Sequence, residues 1–179
     1  MKFRSMLLAA AFAVAGAASL HAQESKLFQD FRPGSDEAIN VEADKLEVSE
    51  KADERVSVFT GNVSVTRGVT VINASAITIH SDLGAPQSGK EAFNLIEATG
   101  KVTVTENNSR ATADVATFDM KTQIATMTGN VVLSQGSNIL SGETLTVDLN
   151  SGIARVEEAA GGRIKGVFTP NAAKAAPGE

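Results

Sequence analysis

Phe59-Thr60-Gly61-Asn62-Val63-Ser64-Val65-Thr66-Arg67-Gly68, FTGNVSVTRG, sets the pattern for the chain. Val63 and Val65 alternate with hydroxylated residues, a period of two that belongs to a strand with one buried face. The stretch returns twice. Thr99-Gly100 precedes Val102 and Val104, and Thr128-Gly129 precedes Val131 and Leu133. A second unit keeps the same clock: VEADKLEV from Val41, INASAITI from Ile72, ATADVATF from Ala111 and LSGETLTV from Leu140. Each has a small residue in third place, at Ala43, Ala74, Ala113 and Gly142. The glycines are 39 and 29 residues apart, and the small residues 31, 39 and 29 apart. Both series lengthen at one place, the Gly/Pro/Ser-rich stretch from Leu83 to Ala92. A repeat of about 30 residues in an all-β chain implies stacked supersecondary units, each burying its apolar face against its neighbours.

The same alternation runs through Ile39 and Val41, Leu46 and Val48, Ile77 and Ile79, and Leu145, Val147 and Leu149. Turn signals punctuate it, among them Asn107-Asn108-Ser109, Gly136-Ser137-Asn138 and Asn150-Ser151-Gly152. Gly61, Gly100 and Gly129 read as turn glycines too. At roughly 8 to 12 residues per strand and turn, about a dozen strands or a few more are expected.

The sequence before these strands reads differently. Lys2 and Arg4 precede an uncharged run from Met6 to Leu20, and Ala22 offers a small residue for cleavage. That is the pattern of a secretory signal peptide, residues 1–22. The run is shorter than the roughly 20 apolar residues of a membrane-spanning helix. Removing it takes the net charge from −5 to −7 and leaves 157 residues, with His80 the sole imidazole. Residues 23–38 read as a polar lead-in.

Composition narrows the chemistry. Cysteine, tryptophan and tyrosine are absent, so thiol catalysis, disulfides and thiolate metal sites are excluded. An acidic balance argues against nucleic acid as a partner. Gly84 to Lys90 matches the opening of a phosphate-binding loop, but Glu91 stands where Ser or Thr should hold magnesium. His80-Ser81-Asp82 is adjacent in sequence, which is no triad in space. The acids Glu42, Asp44, Glu47 and Glu50 read as a solvated strand face, without the interleaved loop of a calcium site. No enzyme, metal or cofactor is expected.

FTGNVSVTRG at 59–68 and TGNVVLSQGSNILSG at 128–142, with INVEAD at 39–44, resemble the OstA-like repeat family of lipopolysaccharide-transport proteins. The resemblance extends over roughly Ala38 to Lys165. It implies an open, V-shaped antiparallel β-jellyroll built from repeated strand units at 39–169. The tail at 170–179, PNAAKAAPGE, reads from its composition as disordered. It also implies a periplasmic, non-enzymatic carrier that shields lipid A acyl chains and leaves the sugars in water. Its expected partners are lipopolysaccharide, an inner-membrane jellyroll protein, the N-terminal domain of an outer-membrane translocon, and further copies of itself joined head to tail by edge strands. An ATPase partner would supply the energy. Resemblance and alternation together mark Ile39 and Val41 as acyl-chain contacts, then Val63, Val65, Ile77, Ile79, Phe118, Val131, Leu133, Leu145 and Val147. Core packing is the alternative for each of these. A structural or adhesive β-solenoid is the alternative for the whole.

Overall fold

The computed structural model describes residues 27–31, 37–51, 53–83 and 93–169. The expected signal peptide, the phosphate-loop-like Gly84 to Lys90 and the tail from Pro170 lie outside the described residues. A 3-10 turn, Gln29–Phe31, precedes ten strands: β1 Ile39–Glu42, β2 Lys45–Lys51, β3 Glu54–Arg67, β4 Thr70–Asp82, β5 Leu95–Glu106, β6 Ser109–Asp119, β7 Ile124–Gln135, β8 Asn138–Asp148, β9 Ile153–Glu157 and β10 Lys165–Val167. All pair antiparallel in one sheet. Neighbours in sequence are neighbours in the sheet from β3 to β8. β1 and β2 share β3 at one end, and β9 and β10 share β8 at the other. Among the described residues the two ends do not pair with each other, so the sheet stays open.

The strands are fewer and longer than expected, because Gly61, Gly100 and Gly129 are not turn glycines. Each lies inside a long strand, where the ladder shifts register: between Thr60 and Val63, between Thr99 and Val102, and between Thr128 and Val131. At each shift two successive residues adopt left-handed conformations, Gly61 and Asn62 (φ +80° and +46°), Gly100 and Lys101 (+79° and +53°), and Gly129 and Asn130 (+81° and +51°). These are β-bulges, which bend a strand without ending it. A turn and a bulge both need left-handed residues, so Thr-Gly-Asn signals either.

The bulges align across the sheet and divide it into two halves. One half pairs β2 with residues 54–60, 76–82, 95–99, 115–119, 124–128 and 144–148, and ends on β9. The other pairs β1 with 63–67, 70–74, 102–106, 109–113, 131–135 and 138–142, and ends on β10. β1 and β2 break apart at Ala43–Asp44, opposite the bulge in β3. The repeat seen in the sequence is thus one hairpin of two bent strands, β3–β4, β5–β6 and β7–β8. The outer face carries threonine, serine and charge, and the inner face of both halves forms one core.

Candidate functional site

Cross-strand register turns the alternating apolar residues into rows. In the first half, Leu46, Phe59, Ile77, Ala98, Ala116, Met127, Leu145 and Val156 stand side by side across eight strands. The neighbouring row contains Ile79, Ile96, Phe118, Ala125 and Val147. In the second half, Val41, Val65, Ile72, Val104, Ala111, Leu133 and Leu140 form a third row. Burial is complete in the middle and fades toward the ends. Ile77, Met127 and Leu145 are at most 1% exposed, whereas Leu46 is 52% and Val48 55% exposed on β2.

All eleven candidate contacts lie on this inner face. Val63, Val65, Ile77, Ile79, Phe118, Val131, Leu145 and Val147 are buried in the core. Ile39, Val41 and Leu133 are half-buried and pack against it from nearer the ends.

Two features escaped the sequence reading. One is the continuation of the first row onto exposed Leu46, whose alternation with Val48 was visible but not its partner Phe59. The other lies in the lead-in segment, read as polar, where Leu27, Phe28 and Phe31 are at most 3% exposed. Phe28 stacks on Phe118 with ring centroids 6.5 Å apart, and Phe31 meets Phe118 edge-on at 5.5 Å. The Arg67 guanidinium lies 5.6 Å from the Phe31 ring centroid, within range of a cation–π contact. Asp30 Oδ2 accepts from the backbone N–H of Val69 (2.7 Å) and Thr70 (3.1 Å), with the Thr70 hydroxyl at 3.2 Å. That hydroxyl is also 3.0 Å from Glu106 Oε2, and its single proton serves one carboxylate at a time. Three apolar residues within five positions were the available signal.

The polar groups elsewhere make structural contacts. Asn62 Nδ2 donates to Asp44 Oδ2 (3.0 Å) and Asn130 Nδ2 to Asp114 Oδ2 (2.8 Å), tying the Gly61 bulge to the break between β1 and β2 and the Gly129 bulge to β6. Ser75 Oγ donates to the Gly100 carbonyl at the bulge in β5 (3.0 Å). His80 lies between two carboxylates, Nδ1 2.8 Å from Glu54 and Nε2 3.3 Å from Glu97. The acids Glu42, Asp44, Glu47 and Glu50 are exposed. Among the described residues, no three His, Asp or Glu side chains gather as a metal site.

Known proteins share this architecture. The crystal structure of LptH, the LptA homologous periplasmic component of the conserved lipopolysaccharide transport device from Pseudomonas aeruginosa, superposes with a TM-score of 0.61. The match is 20% identical and covers 74% of this chain and 96% of that one, so it establishes the open jellyroll fold. An uncharacterized protein of Rhizobium meliloti (strain 1021) is 32% identical over 177 residues, covering 93% of this chain and 94% of that protein. The family model for "LptA/(LptD N-terminal domain) LPS transport protein" matches residues 40–153, from the first strand to the start of β9. The chain therefore belongs to the LptA/(LptD N-terminal domain) family of lipopolysaccharide-transport proteins.

Proposed function

We propose that this protein is a periplasmic bridge that shields lipid A acyl chains along its inner face and joins end to end with other jellyroll domains. One observation carries the reading: the row from Leu46 to Val156 is apolar at all eight positions and does not stop where the core stops. A scaffold needs its middle buried, but gains nothing from exposed leucine and valine on its last strand. A conduit needs both. Burying a methylene is worth about 0.8 kcal/mol, so an acyl chain of about a dozen carbons held in water would cost roughly 10 kcal/mol. A path across water must therefore be apolar without a gap.

The ends support assembly. Among the described residues, β1 and β2 at one end, and β9 and β10 at the other, each carry a side that no strand covers. Exposed Leu46, Val48, Ile153, Val167 and Phe168 accompany them. Such edges accept a further strand from another chain. The partners this reading calls for are an inner-membrane jellyroll protein, the N-terminal domain of the outer-membrane translocon, and copies of this chain. The expected mature charge of −7 also suits a protein that holds the acyl chains rather than the phosphorylated headgroup.

A photo-crosslinking amino acid at Val41 or Leu46 should capture lipopolysaccharide in cells, and one at outward-facing Asn73 should not. Adducts at Asn73 with none at the inner positions would overturn the reading.

A further inference from the structure

We propose that Leu27–Phe31 is a displaceable plug that holds the place of one saturated acyl chain, and that lipid reaches the middle of the groove by turning this segment out. The inference rests on the lipid-carrying reading above and adds a gate to it.

The segment is foreign to the sheet. The backbone hydrogen bond described for it is internal, from the Phe31 N–H to the Phe28 carbonyl at 3.0 Å. Among the described residues it is tied to the strands by side chains: the Phe28 and Phe31 rings on Phe118, Arg67 over Phe31, and Asp30 on the N–H groups of Val69 and Thr70. The strand ladder can therefore persist when the plug leaves. Phe28 also holds φ at +65°, a conformation that an aromatic residue rarely adopts and that surrounding contacts must maintain. Losing those contacts releases the strain.

The surface beneath it has the character of an alkyl-chain site. Phe118 belongs to the row of Ile79, Ile96, Ala125 and Val147, which is apolar and well buried. Phe28 and Phe31 pack on the Phe118 ring and, with Leu27, are buried in one cluster with it, so they keep water off that ring as a lipid tail would. Exchange of plug for tail replaces one apolar cover with another, and so needs little net driving force. A groove left uncovered would instead present an apolar patch to water, a liability for an exported protein. Departure of Asp30 also frees the N–H groups of Val69 and Thr70 at the rim, two donors suited to the ester carbonyl of an acyl chain. A site covered most of the time binds with an apparent affinity reduced by the fraction of time it is open.

The chain has no cysteine, so a pair can be introduced cleanly. Asp30 Cγ, where the sulfur of Asp30→Cys would sit, lies 2.7 Å from where a Cβ on Gly68 would stand, close to the roughly 3 Å between one Cβ and the far sulfur of a disulfide, so Asp30→Cys and Gly68→Cys are within bonding reach. Gly68 has φ +55°, close to the values Asn62 and Lys101 already adopt in this chain. Binding of the fluorescent fatty acid cis-parinaric acid to the full-length protein reads the gate. The oxidised pair should bind at least about tenfold more weakly than the same protein after reduction. Asp30→Ala, which loosens the plug, should bind more tightly than the wild type. Equal binding by the oxidised and reduced pair, or weaker binding by Asp30→Ala, overturns the plug and leaves the carrier reading standing. Absence of binding by the wild type, the reduced pair and Asp30→Ala alike overturns the carrier reading, and the plug with it.

Discussion

Gly129 shows how one residue bends a strand. Its φ of +81° is left-handed, and a Cβ there would stand 2.5 Å from Asp114 Oδ2 and 2.9 Å from Asp114 Cβ. Both backbone conformation and space demand glycine. Gly136 is a useful contrast. It too is left-handed (φ +58°), but nothing lies nearer its Cβ position than Asn108 Nδ2 at 3.8 Å. We expect Gly136→Ala to cost about 1–2 kcal/mol from the left-handed backbone alone. Gly129→Ala adds the clash with Asp114 and should lose a further 1 kcal/mol or more, at roughly the size of an overpacking penalty. Urea unfolding of the two variants measures the difference, and equal losses would mean that the Asp114 contact gives way freely. The repetition of Thr-Gly was legible in the sequence at this scale. Its meaning as a bend was not, because the deciding neighbour, Asp114, is supplied by the adjacent strand.

At the scale of elements, the turns at the ends of β6 and β8 are held by carboxylates. Asp119 Oδ1 accepts from the N–H groups of Thr122 (3.0 Å) and Lys121 (2.8 Å). Asp148 Oδ1 accepts from those of Ser151 (3.2 Å) and Asn150 (2.9 Å). The Thr122 N–H is the chief cause that holds the Asp119 carboxyl below its ordinary value of 3.8, and the Ser151 hydroxyl and N–H do the same for Asp148. A group with a lowered native pKa stabilises the fold above its unfolded value and loses that contribution as pH falls through the native one. Both turns are exposed, so the effect is modest. The double variant Asp119→Asn, Asp148→Asn keeps an acceptor oxygen but no charge. It should melt below the wild type at about pH 7, and the gap should narrow by about pH 3. A gap that stays constant would show that the turns do not depend on ionisation. These turns are local, and Asn150-Ser151-Gly152 was readable from sequence for that reason. The Leu27–Phe31 segment was not, since its partner Phe118 is 87 positions beyond Phe31 and a 3-10 turn this short has no periodicity to read.

For the whole molecule the question is which apolar residues hold the fold and which are free to meet lipid or a neighbouring domain. Ile77 and Leu46 stand in one row, separated by Phe59, yet Ile77 is fully buried and Leu46 is 52% exposed. Ile77→Ala should cost about 2–5 kcal/mol, as truncations in a packed core do. Leu46→Ala should stay within roughly 0.5 kcal/mol of the wild type, as exposed positions do. Its effect should instead fall on capture of lipopolysaccharide and on end-to-end association, measured by crosslinking yield and by light scattering. A Leu46→Ala protein as unstable as Ile77→Ala would mean that this end of the row serves the fold alone. A Leu46→Ala protein with normal stability, capture and association would remove the row's end from the proposed path.

The all-β class, the repeat of about 30 residues and the inward placement of the eleven candidate residues were decided by local alternation. Val69 and Val71, which alternate in the same way, lie outside the buried set of β4, where Thr70 and Ile72 face inward. A period of two is enough to say which side chains share a face. The membership of the lipopolysaccharide-transport family was likewise legible in short strings such as FTGNVSVTRG. Three things required the tertiary structure: that the repeated glycines bend strands instead of ending them, that one apolar row runs past the core onto Leu46 of β2, and that the lead-in segment covers Phe118. Each depends on which residues of distant strands come side by side. Register across a sheet is set by pairing between segments, and alternation within one segment carries no record of its partner.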